Sequence, residues 1–112
     1  MSHRQEVRIF KIFRKGEWRR FQEAGAFAGS TDDLRDGFIH LSTHAQLAGT
    51  LARHFAGATS LTIAEVLVAN DPALRWEVSR GGARFPHLYR PLTLADIAPS
   101  GPASGSADAP AS

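Results

Sequence analysis

The stretch Asp36-Gly37-Phe38-Ile39-His40-Leu41-Ser42-Thr43 constrains the fold more than any other segment. It reads as a turn at Asp36-Gly37, a strand over residues 38–42, and a helix start at Thr43. Side chains alternate faces along a strand. Ile39 and Leu41 therefore point into a core, while Phe38, His40 and Ser42 share the opposite face. An imidazole and a hydroxyl then sit just before the unpaired N–H groups of a helix start, which attract anions such as phosphate.

The flanking segments supply a sheet and helices around it. Val7 to Phe13 is mostly apolar and β-branched or aromatic, the pattern of a largely buried strand, and Gly16 breaks it. Over Glu17 to Ala24 a helix places Trp18, Phe21 and Ala24 at helical spacing, with Gly25 as its stop. Residues 26–35 read as a loop or short turn, with Thr31 a cap before Asp32 and Asp33. Thr43-His44-Ala45-Gln46 fits a capping box, and Leu47, Leu51 and Phe55 then mark one helix face up to Gly57. Leu61 to Ala69 is apolar enough for a central strand. After the Asn70-Asp71-Pro72 turn, Leu74, Trp76 and Val78 alternate with Arg75 and Glu77, which predicts a strand with Trp76 in the core. Gly81-Gly82 is a connection. Residues 85–89 can be extended, although Pro86 argues against a central strand. A last short element covers residues 92–97.

Residues 6–98 thus form a single α+β domain. From residue 99 to 112 the chain is Pro, Gly, Ser and Ala with one Asp. It buries too little apolar area to offset its ordering entropy, so a disordered tail is expected. With 43% hydrophobic residues the domain can fill a core, and without cysteine it has no disulfide, thiol nucleophile or thiolate metal site. The formal charge is only +2. No apolar run approaches the roughly 20 residues of a membrane span, and the first residues lack the apolar centre of a signal peptide. The expectation is a soluble, cytoplasmic protein.

Three groupings could carry chemistry. His40 with Ser42 could hold a sugar hydroxyl or an anion; equally, His40 could be a structural histidine and Ser42 a local cap. Glu77 could hydrogen-bond a ligand or stabilise developing positive charge; on spacing alone, a strand-surface pair with Arg75 or another arginine explains it better. Phe85, His87 and Tyr89 share one side of an extended segment and could grip a flat ring by stacking; otherwise Phe85 and Leu88 are core and His87 is surface. His40, His44, His54 and His87 lack metal-ligand spacing, so no metal is expected. Ser42 and Ser79 lack the setting of a catalytic nucleophile. Arg14, Lys15, Arg19 and Arg20 read as a solvated face, which makes nucleic acid an unlikely partner.

These motifs together carry a resemblance. Residues 36–43 with Gln46, His54-Phe55, Leu74-Arg75-Trp76-Glu77, and Phe85-Pro86-His87-Leu88-Tyr89 with Pro91-Leu92 resemble the domain-of-unknown-function 952 family, small and mostly bacterial proteins. The resemblance runs from about Ile9 to Ile97. It implies an ADP-ribosyltransferase-like fold: a split, curved β-sheet with two main helices and NAD bound between the half-sheets. It implies His40 at the ribose- or amide-contacting position with Ser42 beside it, and Glu77 as the acid on the nicotinamide ribose. His40 and Glu77 are then the candidate catalytic residues, and Phe38, Ser42, Thr43, His87 and Tyr89 the candidate ligand-binding ones. The expected ligand is NAD or a related nucleotide. A non-catalytic metabolite-binding module and an RNA phosphate-transfer protein are the alternatives on the same fold.

Overall fold

The structure, a computed structural model, describes residues 7–99. The tail expected from residue 99 lies, apart from Pro99 itself, outside the described residues. In chain order the elements begin β1 (Ile9–Phe13), α1 (Lys15–Ala24), β2 (Ala26–Phe27) and α2 (Thr31–Asp36). Next come β3 (Ile39–His40), β4 (Ser42–Thr43), a 3-10 turn (His44–Gln46) and α3 (Leu47–His54). The chain then forms β5 (Thr62–Val66), β6 (Leu74–Val78), β7 (Arg84–Leu88) and β8 (Leu92–Thr93). Every strand pairing is antiparallel. Two three-stranded sheets result, ordered β4-β1-β5 and β3-β7-β6, with β2-β8 as a separate pair. Among the described residues no helix is long and apolar enough to cross a membrane.

All five residues of β1 are buried, because this strand is the middle of its sheet. At its end Phe13 meets Trp18, Phe21 and Phe27 with ring centroids 5.1 to 5.6 Å apart. Burying each such ring contributes about 1.5–3 kcal/mol, so this cluster anchors α1 and β2. Ile39, Leu41, Val66, Leu88 and Leu92 continue the same core between the sheets.

The structure changes several local expectations. The segment 38–42 is two strands, not one. The chain kinks at Leu41, so β3 joins one three-stranded sheet and β4 the other. Ile39 and Leu41 are buried, as alternation requires. Residues 26–35 hold β2 and the start of α2, whose cap is Ser30 and not Thr31: the Ser30 hydroxyl accepts from Asp33 N–H, and Asp33 reaches back to Ser30 N–H. Helix α1 starts at Lys15, and Ala24 is exposed at its end. Strand β5 has β1 on one side and only a bridge to Ile97 on the other, so β1 takes the central place expected of it.

The largest correction is β7, which is central although it contains Pro86. In antiparallel pairs the N–H and C=O of a residue point to the same neighbour. The Pro86 carbonyl accepts from Leu41 N–H, so its missing N–H also faces Leu41. That is where β3 has ended and the chain turns to the other sheet, so the ladder loses little. Trp76 is likewise not core. It lies opposite Glu77 on β6 as expected, but β6 is an edge strand, and Trp76 and Val78 are exposed.

Candidate functional site

A cleft of about 610 Å³ opens where the two three-stranded sheets part, within the size range of small-molecule sites. The kink at Leu41 creates it: β3 and β4 leave in different sheets, and the side chains of Phe38, His40 and Ser42 line the gap. From the other wall come Glu77 on β6, and Phe85, His87 and Tyr89 on or just after β7. Six of the seven expected site residues therefore share one cleft. Thr43 does not line it.

Thr43 is used locally. Its hydroxyl accepts from Gln46 N–H, and the Gln46 side chain accepts from Thr43 N–H. The capping box is present as expected, but it occupies N–H groups at the helix start, and a 3-10 turn begins there. An anion at this point would have to displace the box, so the phosphate site expected after Thr43 has no support in the geometry. Ser42 is buried and shares a hydrogen bond of 2.9 Å with Thr50.

His40 is held from behind by a carboxylate that the sequence reading did not single out. Its Nδ1 lies 2.7 Å from Asp33 Oδ1, and an ionised carboxylate only accepts, so Nδ1 donates. Its Nε2 lies 2.9 Å from Asp36 Oδ2. Donation to both acids at once takes the imidazolium form. Asp33 is almost fully buried and also accepts from Lys11 Nζ at 2.9 Å, Ser30 N–H at 2.8 Å and His40 N–H at 3.0 Å. Burial alone would raise its pKa. The hydrogen bond from His40, the Lys11 charge and hydrogen bond, and the Ser30 N–H overcome that and hold Asp33 well below the usual carboxylate range. Gly29 permits the arrangement. Its φ is +139°, and a Cβ there would lie 2.7 Å from Asp33 Cβ.

Glu77 is held from the opposite wall. Its Oε1 accepts from His87 Nδ1 at 2.6 Å and from the Tyr89 hydroxyl at 2.8 Å. Those two bonds lower the Glu77 pKa, and the same contact raises that of Tyr89. Both bonds fall on Oε1, which leaves the lone pairs of Oε2 outside them. The partner of Glu77 is thus His87, not Arg75, whose guanidinium lies over the Tyr89 ring at 5.7 Å. Phe38 stacks on His87 at 3.9 Å, and the rings of His40 and His87 are 5.6 Å apart. This stack joins the two walls. One face of His87 is therefore covered by Phe38, not open to a ligand ring.

Two signals pointed at the missed residues. Lys11 interrupts a buried apolar strand, and a buried cation requires a buried anion. Ser30-x-x-Asp33 is a capping box that places Asp33 on the first turn of a helix. Of the four histidines, His40, His54 and His87 line the cleft, while His44 packs on Phe10 outside it. Among the described residues no group of three His, Asp or Glu is placed to hold a metal ion.

Three solved structures resemble the chain, all of protein CC0527 from Caulobacter crescentus. Its crystal structure has a TM-score of 0.77 at 46% identity, over 81% of each chain. The crystal structure of a double mutant gives 0.75 at the same identity and coverage. Its solution structure gives 0.71 over 81% of this chain and 79% of that one. A search of curated proteins finds no significant match. The model of the protein family of unknown function DUF952 matches residues 12–99, which span both walls of the cleft. The chain belongs to the DUF952 family.

Proposed function

We propose that the cleft binds NAD or a related nucleotide and that the chain is an ADP-ribosyl transferase on an ADP-ribosyltransferase-like fold. The observation that carries this reading is the placement of Glu77. It is an ionised carboxylate, oriented by two donors through one oxygen, in the same cleft as His40. Breaking the bond between nicotinamide and ribose sends the electron pair to the ring nitrogen and builds oxocarbenium-like charge on the sugar. A fixed carboxylate stabilises that charge without reorganising. His40 would meet the ribose or amide through Nε2, whose present partner Asp36 is partly exposed and can yield. Phe38 and Tyr89 offer aromatic surface at the mouth. The split between the two sheets supports the fold assignment.

A second reading, a non-catalytic module for a small metabolite, is favoured by the charge of the walls. Asp32, Asp33, Asp36 and Glu77 line the cleft, against the cations Lys11 and Arg35. Lys11 is paired with Asp33, and Arg35 with Asp32 and Asp36. Such a site suits a hydroxyl-rich or cationic metabolite better than a pyrophosphate. RNA phosphate transfer fits it least well.

Isothermal titration with NAD, ADP-ribose and nicotinamide separates the readings. The first expects heat with NAD, its loss in His40→Ala, and release of free nicotinamide that stops in Glu77→Gln. Silence for all three ligands overturns it. Binding without nicotinamide release in the presence of an acceptor protein extract moves the assignment to the second.

A further inference from the structure

Among the described residues the sheet β3-β7-β6 ends on an unpaired edge, strand β6. Strand β6 is short and exposes Arg75, Trp76 and Val78, while Leu74 and Glu77 are half-buried. Backbone alternation fixes which polar groups point outward. Tyr89 N–H donates to Ala73 O, and Ser79 N–H to Ala83 O. Residues 73, 75, 77 and 79 therefore face β7, and the backbone groups of Leu74, Trp76 and Val78 face away. Leu74 N–H is taken by Asp71 O, and Trp76 O receives only a 3.5 Å contact from Arg84. Edge strands are normally guarded by lysine, proline or a bulge. β6 reads Leu-Arg-Trp-Glu-Val and pairs with β7 in an unbroken register.

We propose that β6 is an interface for a second copy of this chain, paired antiparallel about a two-fold axis at Trp76. The charge pattern is self-complementary in that register. Arg75 falls opposite the partner's Glu77 at both ends, in the position without backbone hydrogen bonds, where side chains approach most closely. Trp76 meets the partner's Trp76, and Leu74 the partner's Val78, on the other face. Outward groups can hydrogen-bond only if the register moves in steps that keep outward residues opposite one another. One such step in either direction puts Arg75 opposite itself or Glu77 opposite itself, and like charges directly opposite are repelled. The sequence thus selects one register. Glu77 can accept the incoming guanidinium because His87 and Tyr89 use only its Oε1. The inference rests on the edge and its charges, and it shares the free oxygen of Glu77 with the proposed function.

Sedimentation of the full chain tests it. The wild type is expected to move, with rising concentration, from the 12.1 kDa of one chain toward twice that mass. Arg75→Glu sets Glu opposite Glu, and Glu77→Lys sets Arg opposite Lys. Each alone should stay monomeric, and an equal mixture should dimerise, because every cross-strand pair is then of opposite charge. Val78→Pro provides a variant that leaves every charge of the register in place. It deletes an outward N–H and no bond to β7, and should be monomeric with an unchanged circular dichroism spectrum. A wild type that remains monomeric at every concentration overturns the proposal. So does a dimer that survives both Arg75→Glu and Val78→Pro.

Discussion

The cleft holds two acid–histidine pairs built as mirror images. In Asp33–His40 the acid is buried and the imidazole open, with side-chain exposures of 1% and 37%. In Glu77–His87 the imidazole is buried and the acid open, at 7% and 38%. One pair presents a donor to the cleft and the other an acceptor. The supports differ accordingly. A buried carboxylate loses its water, and Asp33 is given Lys11, Ser30 and two donors from His40 in exchange. Glu77 keeps part of its hydration and needs only His87 and Tyr89. Burial therefore assigns the orienting member of each pair, and exposure the member that meets a ligand.

Breaking the first pair should be the costlier act. Asp33→Ala leaves Lys11 buried without its counter-charge and removes the partner of the Ser30 N–H. Losing one half of a buried ion pair typically costs about 3–5 kcal/mol. Urea unfolding should show a loss of that order for Asp33→Ala, and far less for Glu77→Ala. Equal losses would erase the distinction between a supporting acid and a presented one.

Acid should act on the same contrast. The folded-state pKa of Asp33 lies below its unfolded value, so it stabilises the fold above the unfolded pKa of about 3.9 and the contribution fades as pH falls. Glu77, Asp36, Asp71 and Asp96 are also lowered and act in the same direction. Wild-type stability should decline steeply below about pH 4. The decline should be shallower in Asp33→Asn and little changed in Glu77→Gln. A profile that Asp33→Asn leaves unaltered would mean the buried carboxylate is not the main acid-labile support. Smaller again is Gly29→Ala, which forces a Cβ against Asp33 at a positive φ. A strained backbone of this kind costs about 1–3 kcal/mol, read as a lower thermal midpoint.

The sequence exposed the cleft-facing members of these pairs and hid one supporting acid. His40, Glu77 and His87 sit on strands and Tyr89 directly follows one, so a period of two sorts their faces without knowledge of partners. Asp33 lies on α2, a helix of six residues inside a segment that reads as loop, and its role depends on Lys11 from β1, 22 positions away. No local pattern encodes such a pairing. Pro86 misled for a related reason: its tolerance in a central strand depends on where β3 stops, and that is a tertiary fact. Trp76 misled because hydrophobic alternation tells which face a residue takes, but not whether anything covers that face. The capping box at Thr43 was readable, and so was the turn at Asp71, because both close within four residues.

The smallest expected effect is the most specific. Tyr89 is the one tyrosine in the chain, so phenolate absorbance reports it alone. Its pKa is raised, first by the hydrogen bond it donates to Glu77, then by burial and by the nearby carboxylate charge. A raised folded-state value favours the phenol, so this contact adds stability that persists below the unfolded pKa of about 10 and is lost as pH rises through the folded one. Glu77→Gln keeps the shape and removes the charge. The phenol should then ionise at lower pH than in the wild type, with the thermal midpoint at neutral pH nearly unmoved. Asp33→Asn, acting on the other pair, should leave the Tyr89 titration in place while lowering the midpoint. If Glu77→Gln leaves the phenolate curve where it was, Glu77 is not held by Tyr89 in solution. The open acid of the second pair would then lack the fixed orientation that sets it apart from an ordinary surface glutamate.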